Sequence, residues 1–171
     1  FTPGMEVSGT VHEVGPDVDG FKVGDRVVGS GGSGGYSTHT ISKAATVFKI
    51  PDAVTFELAA AFPAVYLTSY LMVIHPGDLQ PNESILIHGA AGGVGLAATE
   101  LAKIAGAKNI FGTCSPSKHD FISDNGVLPI DRDNFLAEIM DWTKGKGVDL
   151  VLDPIGGEHL MQSYRCLGSG G

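Results

Sequence analysis

Cysteine is scarce: the 171 residues hold two, Cys114 and Cys166. Two thiols make neither a disulfide framework nor a four-thiolate zinc site, and a reduced, intracellular protein is expected. Basic residues are also few. Eleven Lys and Arg stand against nineteen Asp and Glu, a net charge of −8, with no basic block. A phosphate-backbone binder needs a cationic face, so nucleic acid is not expected as a partner. Long apolar runs are missing too. The charge-free stretch 58–74 is interrupted by Pro63, Tyr66, Thr68, Ser69 and Tyr70. It falls short of the ~20 apolar residues a membrane span needs, and a buried helix is expected there. The opening Phe1-Thr2-Pro3-Gly4 has no Met, no basic segment and no apolar run. No secretory signal is therefore expected, and the natural chain is expected to begin earlier.

What is present can fold. The chain is 43% hydrophobic and 18% charged, a balance that buries a core and excludes disorder. Its 25 glycines cluster at 29–35, 89–95 and 168–171 with no triplet period, which excludes a collagen helix.

The first fifty residues read as short strands. Residues 5–14 alternate loosely and end at Gly15-Pro16. A second strand region covers 21–28 with a turn at Gly24-Asp25, a glycine loop covers 29–35, and 36–42 and 46–50 read as further strands. Thr55 then offers an N-cap with Glu57 in the first turn, and Pro63 opens a second helix that ends at Pro76-Gly77.

From Ser84 the pattern becomes strand, turn, helix, repeated. Strands are expected at 84–88, 109–113, 127–130 and 148–152, and helices at 93–105, 115–124, 135–143 and 158–167. Strands alternating with helices imply parallel strands joined by right-handed crossovers. The fold class is therefore α/β, part of a doubly wound parallel sheet of the nucleotide-binding type.

The most informative stretch is Ile87-His88-Gly89-Ala90-Ala91-Gly92-Gly93-Val94-Gly95, which follows a strand and opens a helix. That context makes a glycine pattern a dinucleotide fingerprint. Gly92 has no Cβ, so a diphosphate can approach the backbone. The N–H groups of Ala91, Gly92, Gly93 and Val94 then point at the phosphates, helped by the helix dipole. Gly95 allows close packing of helix on strand. The first fingerprint position is Ala90, so the turn there must avoid positive φ. The plain alternative is a glycine-rich turn without a ligand.

The end of the second strand chooses between cofactors. NAD-dependent enzymes place an Asp or Glu about 20 residues beyond the glycines. Here the residues are Thr113, Cys114, Ser115, Pro116, Ser117 and Lys118, with no carboxylate. The hydroxyls of Thr113, Ser115 and Ser117 with the Lys118 cation suit a 2′-phosphate, and Arg132 adds a second charge. NADPH is expected over NADH. Against this stand helix capping by the serines and ordinary solvated side chains for Lys118 and Arg132.

These residues resemble the medium-chain dehydrogenase/reductases, in particular the zinc-independent quinone oxidoreductase group. Three blocks carry the resemblance: Pro3 to Gly9 with Phe21 to Val27, Phe62 to Tyr70, and Ala90 to Gly95. Phe111-Gly112-Thr113, Ser117-Lys118-His119, Gly147-Val148-Asp149 and Asp153-Pro154 with Gly156-Gly157 are similar to the vesicle amine transport protein subgroup. The resemblance implies part of a GroES-like catalytic β domain at 1–54 and a Rossmann NADP-binding domain at 55–171, incomplete at its C-terminus. The chain then resembles an incomplete piece of the enzyme. Zinc members carry Gly-His-Glu where this chain has Gly4-Met5-Glu6. The six histidines show no ligand spacing, so no metal is expected.

The activity so implied is metal-independent hydride transfer from NADPH to a quinone or an α,β-unsaturated carbonyl. Thr68 matches the family position near the nicotinamide. Tyr36, beside Gly34-Gly35, is a second catalytic candidate, and the backbone of Asp153 is expected to border the nicotinamide half. Tyr66 is two residues from Thr68, about 200° round a helix, and is expected to be core. A small-molecule substrate, a homodimer when full length, peripheral membrane association and a cytoplasmic location complete the expectations. The competing readings are an enoyl reductase module of a multienzyme synthase, a non-catalytic NADPH-binding structural or membrane-associated protein and, last, a zinc alcohol dehydrogenase.

Overall fold

The computed structural model describes residues 1–30 and 32–171. Gly31, in the glycine loop 29–35, lies outside the described residues. The chain forms two compact units, Phe1–Leu67 and Thr68–Gly171.

The first unit carries an antiparallel sheet of order β1-β2-β3: β1 (Glu6–Thr10), β2 (Arg26–Ser30) and β3 (Val47–Lys49). Ser8 pairs with Val28, and Val28 with Phe48. Helix α1 (Phe56–Ala60) follows, capped by Thr55, whose hydroxyl accepts from Leu58 N–H at 3.3 Å. It stays with the first unit because Arg26 donates to the Val54 carbonyl and stacks 4.5 Å over the Phe56 ring, while Ser8 donates to the Phe56 carbonyl. Residues 36–42 form no strand. The Ser37 hydroxyl shares its one proton between the Gly34 and His39 carbonyls, 2.5 and 2.7 Å away, and such local bonding competes with a ladder.

Helix α2 (Pro63–Val73) starts at Pro63. The Glu6 carboxylate accepts from Ala64 N–H at 2.6 Å and so caps it. The helix is only half buried: Ser69 and Val73 are enclosed, whereas Leu67, Tyr70 and Leu71 are exposed. The expected buried helix is thus buried along one stripe. No helix among the described residues is long and apolar enough to cross a membrane.

The second unit is a parallel sheet of order β6-β5-β4-β7, built from β4 (Ser84–His88), β5 (Asn109–Cys114), β6 (Leu128–Asp131) and β7 (Leu150–Leu152). The intervening helices are α3 (Gly93–Ala105), α4 (His119–Asp124) and α5 (Phe135–Trp142), with α6 (Leu160–Arg165) after β7. Side chains alternate across the sheet. Ile85 and Ile87 pack with Ala98 and Ala102 of α3, Ile122 of α4 and Val127. Leu86 and Phe111 pack on the opposite face with Phe135 and Ile139 of α5 and with Cys166. Both faces are covered, which is why β4 reads as an unbroken apolar run. The strand order reverses between β4 and β7, and a crevice at the carboxyl ends of the strands opens at such a reversal.

Candidate functional site: the glycine turn and the carboxyl ends of the strands

The turn between β4 and α3 begins at Gly89, which takes the positive φ, +67°. Ala90 avoids it, as its side chain requires, and is fully buried. Ala90 N–H donates to the Thr113 carbonyl at 3.0 Å, tying the turn to β5. Gly92 is the N-cap of α3 and has no side chain to satisfy the helix start. Gly92 N–H, expected among the phosphate donors, instead donates to the Gly89 carbonyl at 2.9 Å and closes the turn. Among the described residues no acceptor takes the N–H groups of Ala91, Gly93, Val94 or Gly95. Gly92 and Gly93 are exposed and Ala91 and Val94 half-buried, so the turn brings their backbone to the surface, whereas Gly95 is buried.

The glycines explain how the turn fits. A Cβ on Gly95 would lie 2.5 Å from the Gly89 carbonyl oxygen and 2.6 Å from Ala90 Cα. Close packing of helix on turn therefore needs glycine there. A Cβ on Gly92 would meet only the Gly89 carbonyl oxygen, at 3.3 Å, with open space beyond. A row of unsatisfied donors at a helix start, with an approach kept clear, fits the diphosphate of a dinucleotide cofactor.

Ser69 was not anticipated from sequence. It is buried on α2 and donates to the Val94 carbonyl at 2.9 Å. The helix segment carrying Thr68 is thereby fastened to the first turn of α3, and Thr68 itself is exposed. A lone serine in an apolar helix gives no signal of such a bond. Tyr36 lies in the first unit, exposed. Its segment runs along Thr2–Gly4 through backbone bonds from Gly34 to Thr2, Gly35 to Gly4 and Tyr36 to Pro3, at 2.8 to 3.0 Å. Tyr66 is stacked on Phe62, ring centroids 4.1 Å apart.

At the end of β5 the expected hydroxyls part company. Thr113 is buried, and its Oγ1 lies 2.9 Å from His88 Nδ1. Strand alternation sends it to the α5 and α6 face, away from α3, so its hydroxyl is not offered to a 2′-phosphate. Ser115 is the N-cap of a short 3-10 turn, yet its hydroxyl makes no capping bond. Ser115, Ser117 and Lys118 are all exposed. The register pairs Cys114 with Asp131, which sets Arg132 just past the neighbouring strand end. Arg132 Nε is 3.6 Å from Asp133 in an exposed pair worth little.

After β7, Asp153 gathers a turn. Its carboxylate accepts from Ile155 and Gly156 N–H at 2.9 and 2.8 Å and from the Ser163 hydroxyl at 2.7 Å. Burial alone would raise this carboxyl, but the bonds from Gly156, Ser163 and Ile155 outweigh it and hold it below the ordinary carboxylate range. His88 ends β4 buried, edge-on to Phe135 at 4.6 Å, with Nε2 3.1 Å from Ser163 Oγ. Burial lowers its pKa, Asp153 opposes this and His159 adds to it. Sequence reasoning passed over both His88 and Ser163. Among the described residues no three His, Cys, Asp or Glu gather as metal ligands.

Residues 1–52 match the family described as alcohol dehydrogenase GroES-like domain, and residues 93–171 match zinc-binding dehydrogenase. A synaptic vesicle membrane protein VAT-1 homolog of Danio rerio is 44% identical over 168 residues, 97% of this chain and 35% of that protein. The CurK enoyl reductase crystal structure aligns with TM-score 0.92 and 39% identity, over 98% of this chain and 51% of that one. A quinone oxidoreductase of Pseudomonas syringae pv. Tomato gives TM-score 0.90 and 35% identity, over 97% and 52%. A mycobacterial protein solved in complex with NADPH gives 0.88 and 31%, over 96% and 53%. The chain thus spans about half or less of the proteins it resembles. With a GroES-like β unit followed by a parallel dinucleotide-type sheet, it belongs to the medium-chain dehydrogenase/reductase family.

Proposed function

We propose that the full-length protein is an NADPH-dependent, metal-independent oxidoreductase acting on quinones or α,β-unsaturated carbonyls. The observation that carries this is the set of unsatisfied N–H groups at Ala91, Gly93, Val94 and Gly95 over a turn cleared by Gly92. In this reading they hold the diphosphate, and Ser115, Ser117, Lys118 and Arg132 surround the 2′-phosphate. Lys118 is exposed one strand over and no carboxylate ends β5, which supports NADPH over NADH. Thr113 contributes through its backbone, since its carbonyl holds Ala90. Thr68, on the segment fastened by Ser69, orients the nicotinamide carboxamide, and the backbone of Asp153 borders that half. Tyr36 is the β unit's candidate for contact with the acceptor. When bound, the cofactor supplies a hydride to an electron-poor carbon. The protein's residues orient the reactants and exclude water.

Metal independence is supported by the donor set. Met5 offers a thioether between Gly4 and Glu6, and the Glu6 carboxylate is engaged by Ala64 N–H. Metal analysis of the purified full-length protein should find no stoichiometric zinc.

Fluorescence titration of the full-length protein tests the cofactor. NADPH should bind at least about tenfold tighter than NADH, and Lys118→Ala should remove most of that difference. Equal affinity for the two would refute the assignment.

The likeness to CurK favours a second reading, an enoyl reductase of a multienzyme synthase. An enoyl thioester turned over in preference to quinones would select it. The vesicle membrane proteins among the relatives support peripheral membrane association, tested by flotation with liposomes; a cytoplasmic homodimer is a further part of this proposal, its oligomeric state tested by sedimentation. A third reading, an NADPH-binding protein without catalysis, would show tight cofactor binding and no turnover of quinone, enone or enoyl thioester.

A further inference from the structure

Thr113, His88, Ser163 and Asp153 form one chain of hydrogen bonds of 2.9, 3.1 and 2.7 Å at the carboxyl end of the sheet. The first three are 1%, 2% and 3% exposed, so water cannot substitute for the protein partners. Proton placement sets its direction. Asp153 is a carboxylate and only accepts, so the Ser163 hydroxyl donates to it. Ser163 Oγ must then accept, and His88 Nε2 carries a proton. His88 is neutral, so Nδ1 is bare and takes the Thr113 hydroxyl proton. Every donor points the same way, and the chain ends on the carboxylate that also collects Ile155 and Gly156 N–H.

The elements so joined matter. His88 ends β4 and Asp153 follows β7, the two strands on either side of the reversal in strand order. The Asp153 carboxylate is what gathers the turn after β7. Gly156 and Gly157 take φ of +64° and +66°, and Ile155 is exposed. Granting the dinucleotide site proposed for the glycine turn, we propose that His88 is a positioning residue. Through Ser163 it fixes the Asp153 to Gly157 turn against β4 and so shapes the nicotinamide side of the site. His88 itself touches no ligand in this arrangement. The adenosine side rests on different groups, namely the exposed residues 115–118 and the α3 turn.

This separation can be measured in the full-length protein with two probes, NADPH and its adenosine half 2′,5′-ADP. Ser163→Ala cuts the chain and leaves both ends in place. It should weaken NADPH about tenfold and change 2′,5′-ADP by less than about twofold. Ser163→Thr, which keeps the hydroxyl, should restore NADPH affinity. Unchanged NADPH affinity in Ser163→Ala, or equal losses for both probes, would overturn the proposal. A wild-type protein binding neither probe would instead overturn the cofactor reading beneath it. If Ser163→Ala fails to fold, the wild-type protein still decides. Side-chain 15N NMR near neutral pH should show His88 as the neutral Nε2–H tautomer, and the Nδ1–H tautomer or the doubly protonated ring would refute the direction of the chain.

Discussion

Two glycines three residues apart should fail in different ways when each gains a methyl group. At Gly95 the added Cβ would lie 2.5 Å from the Gly89 carbonyl oxygen, 2.6 Å from Ala90 Cα and 2.8 Å from Ala90 C. All three are backbone, so no side chain can rotate away. Reaching ordinary contact near 3.4 Å requires α3 to retreat by about 0.9 Å from the turn. That shift strains the Ser69 to Val94 bond, which begins at 2.9 Å. Overpacking of this kind costs about 1–3 kcal/mol, and the ~1 kcal/mol gained from alanine's helix propensity offsets only part of it. At Gly92 the φ is −90°, which any residue adopts, and the single contact of 3.3 Å needs a shift of about a tenth of an ångström. Gly92→Ala should therefore change stability by less than about 1 kcal/mol. Its methyl group stands where the diphosphate is proposed to approach, so NADPH affinity should fall at least about tenfold. The assay is a urea midpoint and an NADPH fluorescence titration on each full-length variant. Gly95→Ala with wild-type stability would refute the packing argument. Gly92→Ala with wild-type affinity would refute the phosphate cradle.

Three further outcomes follow from the buried groups. Thr113→Val should leave the NADPH to NADH affinity ratio unchanged, because this hydroxyl faces His88. It should cost about 1–3 kcal/mol for stranding Nδ1, read from the urea midpoint, while Ser115→Ala should lower the ratio. His88 sits below its ordinary value of 6.5, so the unfolded chain takes up its proton first as the solution is acidified. Its contribution is complete above about pH 6.5 and is lost as pH falls through the folded value, so the wild-type urea midpoint should drop more between about pH 7.5 and 5.5 than that of His88→Gln. Asp153, held below the carboxylate range, loses its contribution only at lower pH. Burial pushes the Cys166 thiol up to about 11, so its contribution is present below about 9 and is lost as pH rises towards 11. Peptide mapping after iodoacetamide at about pH 8 should find Cys166 unmodified in the native protein and modified in urea; labelling without urea would contradict its burial.

How far the sequence revealed the site depends on whether the deciding contact is local. Ser84 to His88 and Gly93 to Ala105 match their expected bounds, because a doubly buried strand is a continuous apolar run and Gly106, at φ +85°, closes the helix. The glycine turn lies within the same reach, since its free N–H groups and Gly92 and Gly95 sit within seven residues. Residues 36–42 read as a strand because Tyr36, Thr38 and Thr40 are strand formers, whereas Ser37 instead satisfies the backbone beside it. Thr113 was misjudged for a related reason. Its place at the carboxyl end of β5 is legible, but the face its hydroxyl takes follows from the register that sets His88 opposite Thr113. That register also explains why His88 and Ser163, 75 residues apart, gave no signal as a pair. A histidine closing an apolar strand is indistinguishable in sequence from one that merely fills space. Once strand order places β7 beside β4, the helix after β7 must return over the α5 face, where Cys166 packs with Leu86 and Phe135. The serine then becomes the group able to link His88 to the Asp153 turn. The open donors of the glycine turn, proposed to hold a diphosphate, are thus encoded in one short segment, and the His88 to Asp153 chain in the topology of the whole sheet.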